Sequence, residues 1–174
     1  MGKTPNLIND ANVYVDGANW LGKASIEIPE VAHKVVESKM FGQSGGMEIP
    51  LKGHIDKLDG KIKFKSLTAE SAKVLYNAAK TPLLDVRAAV QIYNQESGAM
   101  EIYPIKITMQ AFFKKTKLTE LKQGADGDHE AEYAAHYFKL EIDSEEIVEI
   151  DKFNYIYKVG GEDVLADVRE ALGM

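Results

Sequence analysis

An alternation of apolar and polar residues with a period of two is the feature that most constrains this chain. In Leu84–Tyr93 the even positions up to 92 are apolar, and polar residues such as Asp85 and Arg87 lie between them. The segment Lys61–Lys65 alternates in the same way. This period places successive side chains on opposite faces of a strand, so that one face meets a core and the other meets water. The pattern therefore predicts half-buried β-strands.

Turn signals between these segments predict how the strands connect. Asp59-Gly60, between Leu51–Leu58 and Lys61–Leu67, is typical of a two-residue hairpin turn, whose central positions need positive φ. A longer connection over Asn94–Ala99 is expected to lead into a long strand from 100 to about 115.

The strand expected from about His129 to Ile142 changes phase part-way. Its apolar residues are at odd positions as far as Tyr137 and at even positions from Phe138. Either a bulge near Tyr137 or a strand that leaves one sheet and joins another accounts for this change.

Two helices are expected to interrupt the strands. Thr68 can cap a helix over Ala69–Ala79. Near the end, Glu162 and Asp163 are expected in the first turn of a short helix that Gly173 closes. Its buried stripe would be Leu165, Val168 and Leu172. The fold class is therefore β-dominant (α+β): an antiparallel β-sandwich or barrel subunit with one inserted helix and a short C-terminal helix, in a single domain over residues 1–174.

Charge and composition argue against several classes of function. The chain has 27 acidic and 21 basic residues and a net charge of −6. Nucleic-acid binding depends on clustered Lys and Arg, so specific binding to DNA is not expected. The chain has no cysteine, which excludes disulfides and thiolate metal sites. No apolar run approaches the roughly 18 residues of a membrane helix, so no membrane anchor is expected.

No catalytic, cofactor or metal site is expected from the motifs. There is no G-x-S-x-G sequence and no P-loop lysine after Gly45-Gly46. His129-Glu130 begins like a zinc-protease helix, but position 133 is tyrosine. Glu130, Glu132 and His136 share one strand face, and we favour a solvated face over a metal site.

A glycine-rich loop over Met40–Ile49 and three aromatic residues are the candidates for assembly contacts. Apolar side chains on such a loop are poorly explained in a monomer, and we expect an assembly loop at about 40–58. Its candidate residues are Met40, Phe41, Gly42, Gly45, Gly46 and Met47. Candidate subunit-interface residues are Phe112, which precedes Phe113 at a strand end, and Tyr155 and Tyr157, which alternate with Ile156 and Lys158.

The ordered landmarks of the whole chain, above all from Phe138 onward, resemble one family. They are Asn12–Gly17, Gly22, Ile28-Pro29, Gly45-Gly46-Met47, Tyr137–Leu140, Glu149–Asp151, Asn154, Lys158-Val159, Gly161, Asp163, Arg169 and Leu172-Gly173. This set resembles the major tail-tube protein of contractile-tailed bacteriophages and phage-tail-like bacteriocins.

The resemblance implies a structural protein that catalyses nothing. It implies a hexameric ring that stacks into the inner tube of a tail, assembled in the host bacterial cytoplasm and placed in the virion. The implied partners are further copies, the tail sheath protein, and the tape-measure, baseplate and tail-terminator proteins. DNA would pass through the lumen without specific binding, or a bacteriocin tube would puncture an envelope. The alternatives are the tube of a type VI secretion or extracellular injection apparatus that carries protein effectors and, less favoured, a monomeric ligand-binding β-barrel.

Overall fold

The computed structural model describes residues 7–17, 19–38, 46–65, 68–118, 123 and 129–174. Strands dominate these residues, and two short helices accompany them. In chain order the elements are β1 (Leu7–Val15), β2 (Asn19–Glu27), β3 (His33–Ser38), β4 (Met47–Ile55), β5 (Leu58–Phe64), α1 (Ala69–Leu75), β6 (Leu83–Asn94), β7 (Ala99–Lys117), β8 (His129–Ile142), β9 (Glu145–Asp151), β10 (Ile156–Val159), β11 (Glu162–Asp163) and α2 (Ala166–Leu172).

Six antiparallel strands close into a barrel. Going around it, the hydrogen-bonded order is β1-β2-β5-β8-β7-β6, and β6 pairs with β1 to complete the circuit. From β8 the sheet also continues outward through β9, β10 and β11. A separate two-stranded sheet consists of β3 and β4. The expected β-dominant antiparallel class with two helices is therefore confirmed.

Strand β8 carries the predicted change of phase. Gln110 of β7 pairs with Tyr137 and Ala111 pairs with Ala135, so His136 is an extra residue opposite this step. Before the step β8 pairs with β5, and after it β8 pairs with β9. The bulge and the change of neighbour, proposed as alternatives, therefore occur together.

The core consists of side chains that point into the barrel from its strands. The largest fully buried ones include Tyr133, Phe64, Leu58, Ile62, Leu84 and Met109. Ile150 of β9, outside the barrel, is fully buried in the same cluster. Tyr133 is the largest, and its hydroxyl donates a 2.8 Å hydrogen bond to the backbone carbonyl of Glu27. Burial raises the pKa of Tyr133 well above its usual value, so the phenol stays a donor.

The predicted hairpin turn at Asp59-Gly60 is wrong. Both residues lie inside β5, where Asp59 pairs with Ala134 and Gly60 with Tyr133. A Cβ on Gly60 would lie 2.5 Å from both the Tyr133 hydroxyl and the Glu27 carbonyl oxygen. Glycine is needed here because Tyr133 crosses over it, a tertiary contact that mimics a turn signal.

Helix α1 begins as predicted but ends early. Thr68 accepts a hydrogen bond from the Ser71 amide and forms a capping box with it. The helix ends at Leu75 rather than Ala79. The side chain of Asn77 accepts a hydrogen bond from the Ala79 amide, which favours a turn over another helical turn.

Helix α2 starts later than predicted and is closed by Gly173, as expected, at φ 72°. Glu162 and Asp163 form β11, paired with Val159 and Lys158, and are not in the helix. Leu165 is buried as expected, whereas Leu172 is exposed, which corrects the end of the predicted stripe. None of the helices formed by the described residues has the length and apolar character needed to cross a membrane.

Candidate assembly surfaces

The β3–β4 hairpin is a two-stranded ribbon with one apolar face. Val36 pairs with Ile49 and Ser38 with Met47, so these side chains share a face, and Leu51 lies on it two residues after Ile49. The opposite face carries Val35, Pro50 and the facing pair Glu37 and Glu48. Val36, Met47, Ile49 and Leu51 are each between 36% and 47% exposed. A two-stranded hairpin is marginal in water, so this face has the character of a contact surface.

The position of β4 shows that part of the expected assembly loop is a strand. Residues 47–49 belong to β4 and not to a flexible loop, and β4 continues to Ile55. Gly46 directly precedes β4. Met40, Phe41, Gly42 and Gly45 lie outside the described residues, so their predicted role in assembly stays a prediction.

The base of the hairpin is fixed to the β9–β10 end of the sheet and to the segment before α2. The rings of His33 and Tyr157 are 5.7 Å apart, centroid to centroid. Lys152 donates to the carbonyls of Asp56 at 2.5 Å and Ile55 at 3.4 Å, and burial lowers the pKa of this lysine. Gly53, at φ 77°, lies directly against the buried side chain of Leu165. The hairpin is therefore an arm with an anchored base and an exposed apolar face.

A cleft opens in the barrel where β1 and β2 separate. The two strands pair only from Asn12 with Lys23 to Val15 with Asn19. Among the strands that the structure describes, β1 pairs only with β6 before this ladder, and β2 pairs only with β5 after it. The opening is a cavity of about 250 Å³, lined mostly by Ile8, Ala24, Ile26, Ile28, Val90 and Ile105. At its mouth Ile8 is 72% exposed and Ile28 is 50% exposed.

The three aromatic residues predicted for an interface lie in different settings. Phe112 is exposed on β7 and belongs to an aromatic row, 5.5 Å from His136, which is 4.7 Å from Phe153. Tyr155 lies in the turn before β10 at φ 52°, so it does not share a strand face with Tyr157 as the alternation predicted. Tyr157 is half-buried against His33 and the core. Of the three, Phe112 and Tyr155 are exposed, whereas Tyr157 is only partly accessible.

Ion pairs occupy the strand face of Glu130 and Glu132, which was considered as a metal site. Lys61 contacts Glu130 at 3.2 Å and Glu132 at 3.6 Å, and its hydrogen bond lowers the pKa of Glu130. His136 points its Nε2 at Gln110, 3.3 Å away, and not at either glutamate. Within the described residues no three His, Asp or Glu side chains come together as a metal site.

A second set of ion pairs covers the outer face of β8, β9 and β10. Lys139 contacts Glu146 at 3.1 Å and Glu141 at 3.4 Å, and Lys158 contacts Glu149 at 2.7 Å. The hydrogen bond from Lys158 is the main cause that lowers the pKa of Glu149. Lysines on these strands thus have carboxylate partners in the same subunit, so they offer little free positive charge to phosphates.

The family model of the phage tail tube protein FII matches residues 5–173 of this chain. The chain belongs to the phage tail tube protein FII family. The tail tube protein of Escherichia phage P2 is 27% identical over 171 residues, which cover 98% of each chain. The major tail tube protein of Serratia phage KSP20 is 26% identical over 172 residues, covering 98% of this chain and 97% of the relative. The predicted resemblance to a tail-tube protein is confirmed, and the protein is a structural one.

Solved structures of contractile systems have a similar fold. A chain of the sheath–tube complex of an extracellular contractile injection system, PVC, in the extended state superposes with a TM-score of 0.56 at 12% identity, covering 79% of this chain and 91% of that chain. A chain of the sheath/tube terminator of the same system gives 0.55 at 12% identity, with 79% and 97% covered. A chain from the baseplate of the anti-feeding prophage gives 0.50 at 11% identity, with 80% and 97% covered.

Two candidate contact features of this tail-tube family member were missed by sequence reasoning. The first is the apolar face with Val36, Ile49 and Leu51. The short apolar segments that contain these residues were a usable signal for strands. The cleft was missed because its lining comes from β1, β2, β6 and β7, which only the fold brings together.

Proposed function

We propose that this chain, as a single tube domain, is the repeating subunit of the inner tube of a contractile phage tail. Six copies close into a ring, and rings stack into a tube whose channel passes DNA during ejection. The observation that carries the proposal is the match of residues 5–173 to the tail tube family. Further support comes from the hairpin arm, which exposes an apolar face that assembly would bury.

The charge distribution fits a channel that DNA crosses without binding. The chain carries a net charge of −6, and the lysines of the two outer ion-pair networks face carboxylates of the same subunit. A surface of this kind releases few counterions from phosphates and gives DNA few places to hold.

The partners proposed for the tube follow from its place in a tail. They are other copies of this chain, the sheath around the tube, the tail terminator and baseplate at its ends, and a tape-measure protein inside it. The tube is assembled in the host bacterial cytoplasm and ends up in the virion tail. Phage relatives cover nearly the whole chain, which favours a phage tail over a type VI or extracellular injection tube.

The hairpin arm is proposed as the contact between stacked rings. Burying one of its apolar side chains contributes roughly 1.5–3 kcal/mol before ordering costs. Six copies of the arm per ring multiply this gain, which is sufficient to hold rings together.

Two neighbouring valines provide a matched test of this contact. Val36 lies on the apolar face and Val35 on the opposite one, at 45% and 48% exposure. The Val36→Lys variant should remain folded by circular dichroism but form single rings, whereas Val35→Lys should form tubes like the wild type in negative-stain micrographs. Normal tubes from Val36→Lys would contradict the stacking role. A wild-type protein that forms neither rings nor tubes would contradict the proposed function itself, and a monomer with a bound small ligand would support the barrel alternative.

A further inference from the structure

The cleft between β1 and β2 has two kinds of unsatisfied surface. Its lining is apolar and open to solvent, with Ile8 and Ile28 at the mouth. Its two walls are strand edges, since residues 7–11 of β1 and 24–27 of β2 have no ladder partner among the described strands on the side that faces the cleft. An apolar groove between free strand edges is suited to an extended segment that supplies both side chains and backbone hydrogen bonds.

The β3–β4 hairpin has the complementary properties. It projects an apolar face with Val36, Ile49 and Leu51, and β4 pairs with β3 along one edge only among the described strands. No residue of β3 or β4 lines the cleft of its own chain. The same chain therefore carries a protruding apolar ribbon and, elsewhere, a concave apolar receptor.

A protrusion and a receptor at different places on one chain make a head-to-tail contact. Such a contact repeats from copy to copy and gives rings or filaments rather than a closed pair. This is the geometry that a stacked tube needs.

We propose that the cleft between β1 and β2 receives the apolar face of the β3–β4 hairpin of a second copy of this chain in the adjacent ring. The inference rests on the proposed tube function and names the surface that the stacking arm contacts. Ile49 then lies at the mouth of the cleft, beside Ile28 and Ile8 of the neighbouring copy.

The absence of cysteine from the chain allows a direct test by disulfide cross-linking between copies. Two single variants, Ile28→Cys and affinity-tagged Ile49→Cys, are purified reduced, mixed, assembled and oxidised. A disulfide requires Cα atoms within roughly 4.4–6.8 Å, so only touching positions react. Because each chain carries one cysteine, a tagged–untagged dimer reports a contact between copies and never one within a chain. Ile8→Cys serves as a second receptor position if Ile28→Cys fails to fold.

The matched control is Ser97→Cys, an exposed position in the turn between β6 and β7, mixed with the same Ile49→Cys protein. The mixed dimer should form on the order of tenfold more with Ile28→Cys or Ile8→Cys than with Ser97→Cys, because docking raises the effective thiol concentration. Tubes in which neither receptor position exceeds the control would overturn this inference and leave the tube function intact. Failure of the wild-type chain to form tubes would remove the proposed function and the inference with it.

Discussion

The Gly60→Ala substitution tests the packing at the centre of the barrel. The new Cβ would lie 2.5 Å from the hydroxyl of Tyr133, 2.6 Å from its ring carbon Cζ, and 2.5 Å from the Glu27 carbonyl oxygen. None of these atoms moves easily, because Tyr133 is fully buried and the carbonyl belongs to β2. Relief requires a shift of strands or loss of the hydrogen bond from Tyr133 to Glu27.

The expected cost of Gly60→Ala follows from these contacts. Overpacking costs about 1–3 kcal/mol and the hydrogen bond about 0.5–1.5 kcal/mol, so the free energy of unfolding should fall by roughly 2–4 kcal/mol. For a chain of this size the melting temperature should fall by about 5–15 °C.

Urea unfolding of the unassembled subunit, followed by far-ultraviolet circular dichroism, measures this free energy. The matched control is Gly160→Ala, where a Cβ meets nothing within 4 Å and the cost is limited to the strain of φ 57°, about 1–2 kcal/mol. A free energy of unfolding for Gly60→Ala within about 0.5 kcal/mol of the wild-type value would show that the Tyr133 contact does not require glycine at position 60.

Two further stability predictions concern a helix cap and the half-buried side chain of His136. Thr68→Ala should lower the free energy of unfolding by about 1 kcal/mol, because the Ser71 amide loses its acceptor, while Thr68→Ser should change it little; equal losses in urea titrations would contradict the capping role. Burial lowers the pKa of His136 below the ordinary 6.5, so the unfolded chain binds the proton first as the pH falls. Stability should therefore decrease as the pH drops from 7.5 to below 6.5, and His136→Gln should reduce this dependence in urea titrations at the two pH values; an unchanged dependence would assign it to other groups.

The sequence predicts the structure correctly where the alternation within one strand decides which side chains face the core. The even-numbered residues from Leu84 to Ile92 face inward, and the phase change near Tyr137 corresponds to a bulge. Even there Asp85 was expected on a wet face, but it is 6% exposed and accepts a 2.8 Å hydrogen bond from Thr108 of the neighbouring strand.

Some errors occur where a distant residue decides the local structure, and others where a local side chain forms a turn that the alternation does not reveal. Asp59-Gly60 was misread as a turn signal, whereas position 60 is glycine because the distant Tyr133 packs directly over it. Tyr155 leaves the strand pattern because the side chain of Asp151 accepts hydrogen bonds from the amides of Phe153 and Asn154 and holds the turn that Tyr155 completes. The candidate assembly surfaces were only partly predictable because they depend on how separate strands pair. The glycines pointed to the arm, but its apolar face depends on the register of β3 with β4.

This chain is proposed to assemble with itself into a tube of six-membered rings. Cryo-electron microscopy of the purified protein, concentrated stepwise, tests it most directly. End-on views should show six copies around an open channel, and side views should show stacked rings. A protein that remains a 19.3 kDa monomer by light scattering at millimolar concentration, with no rings on the grid, would contradict it.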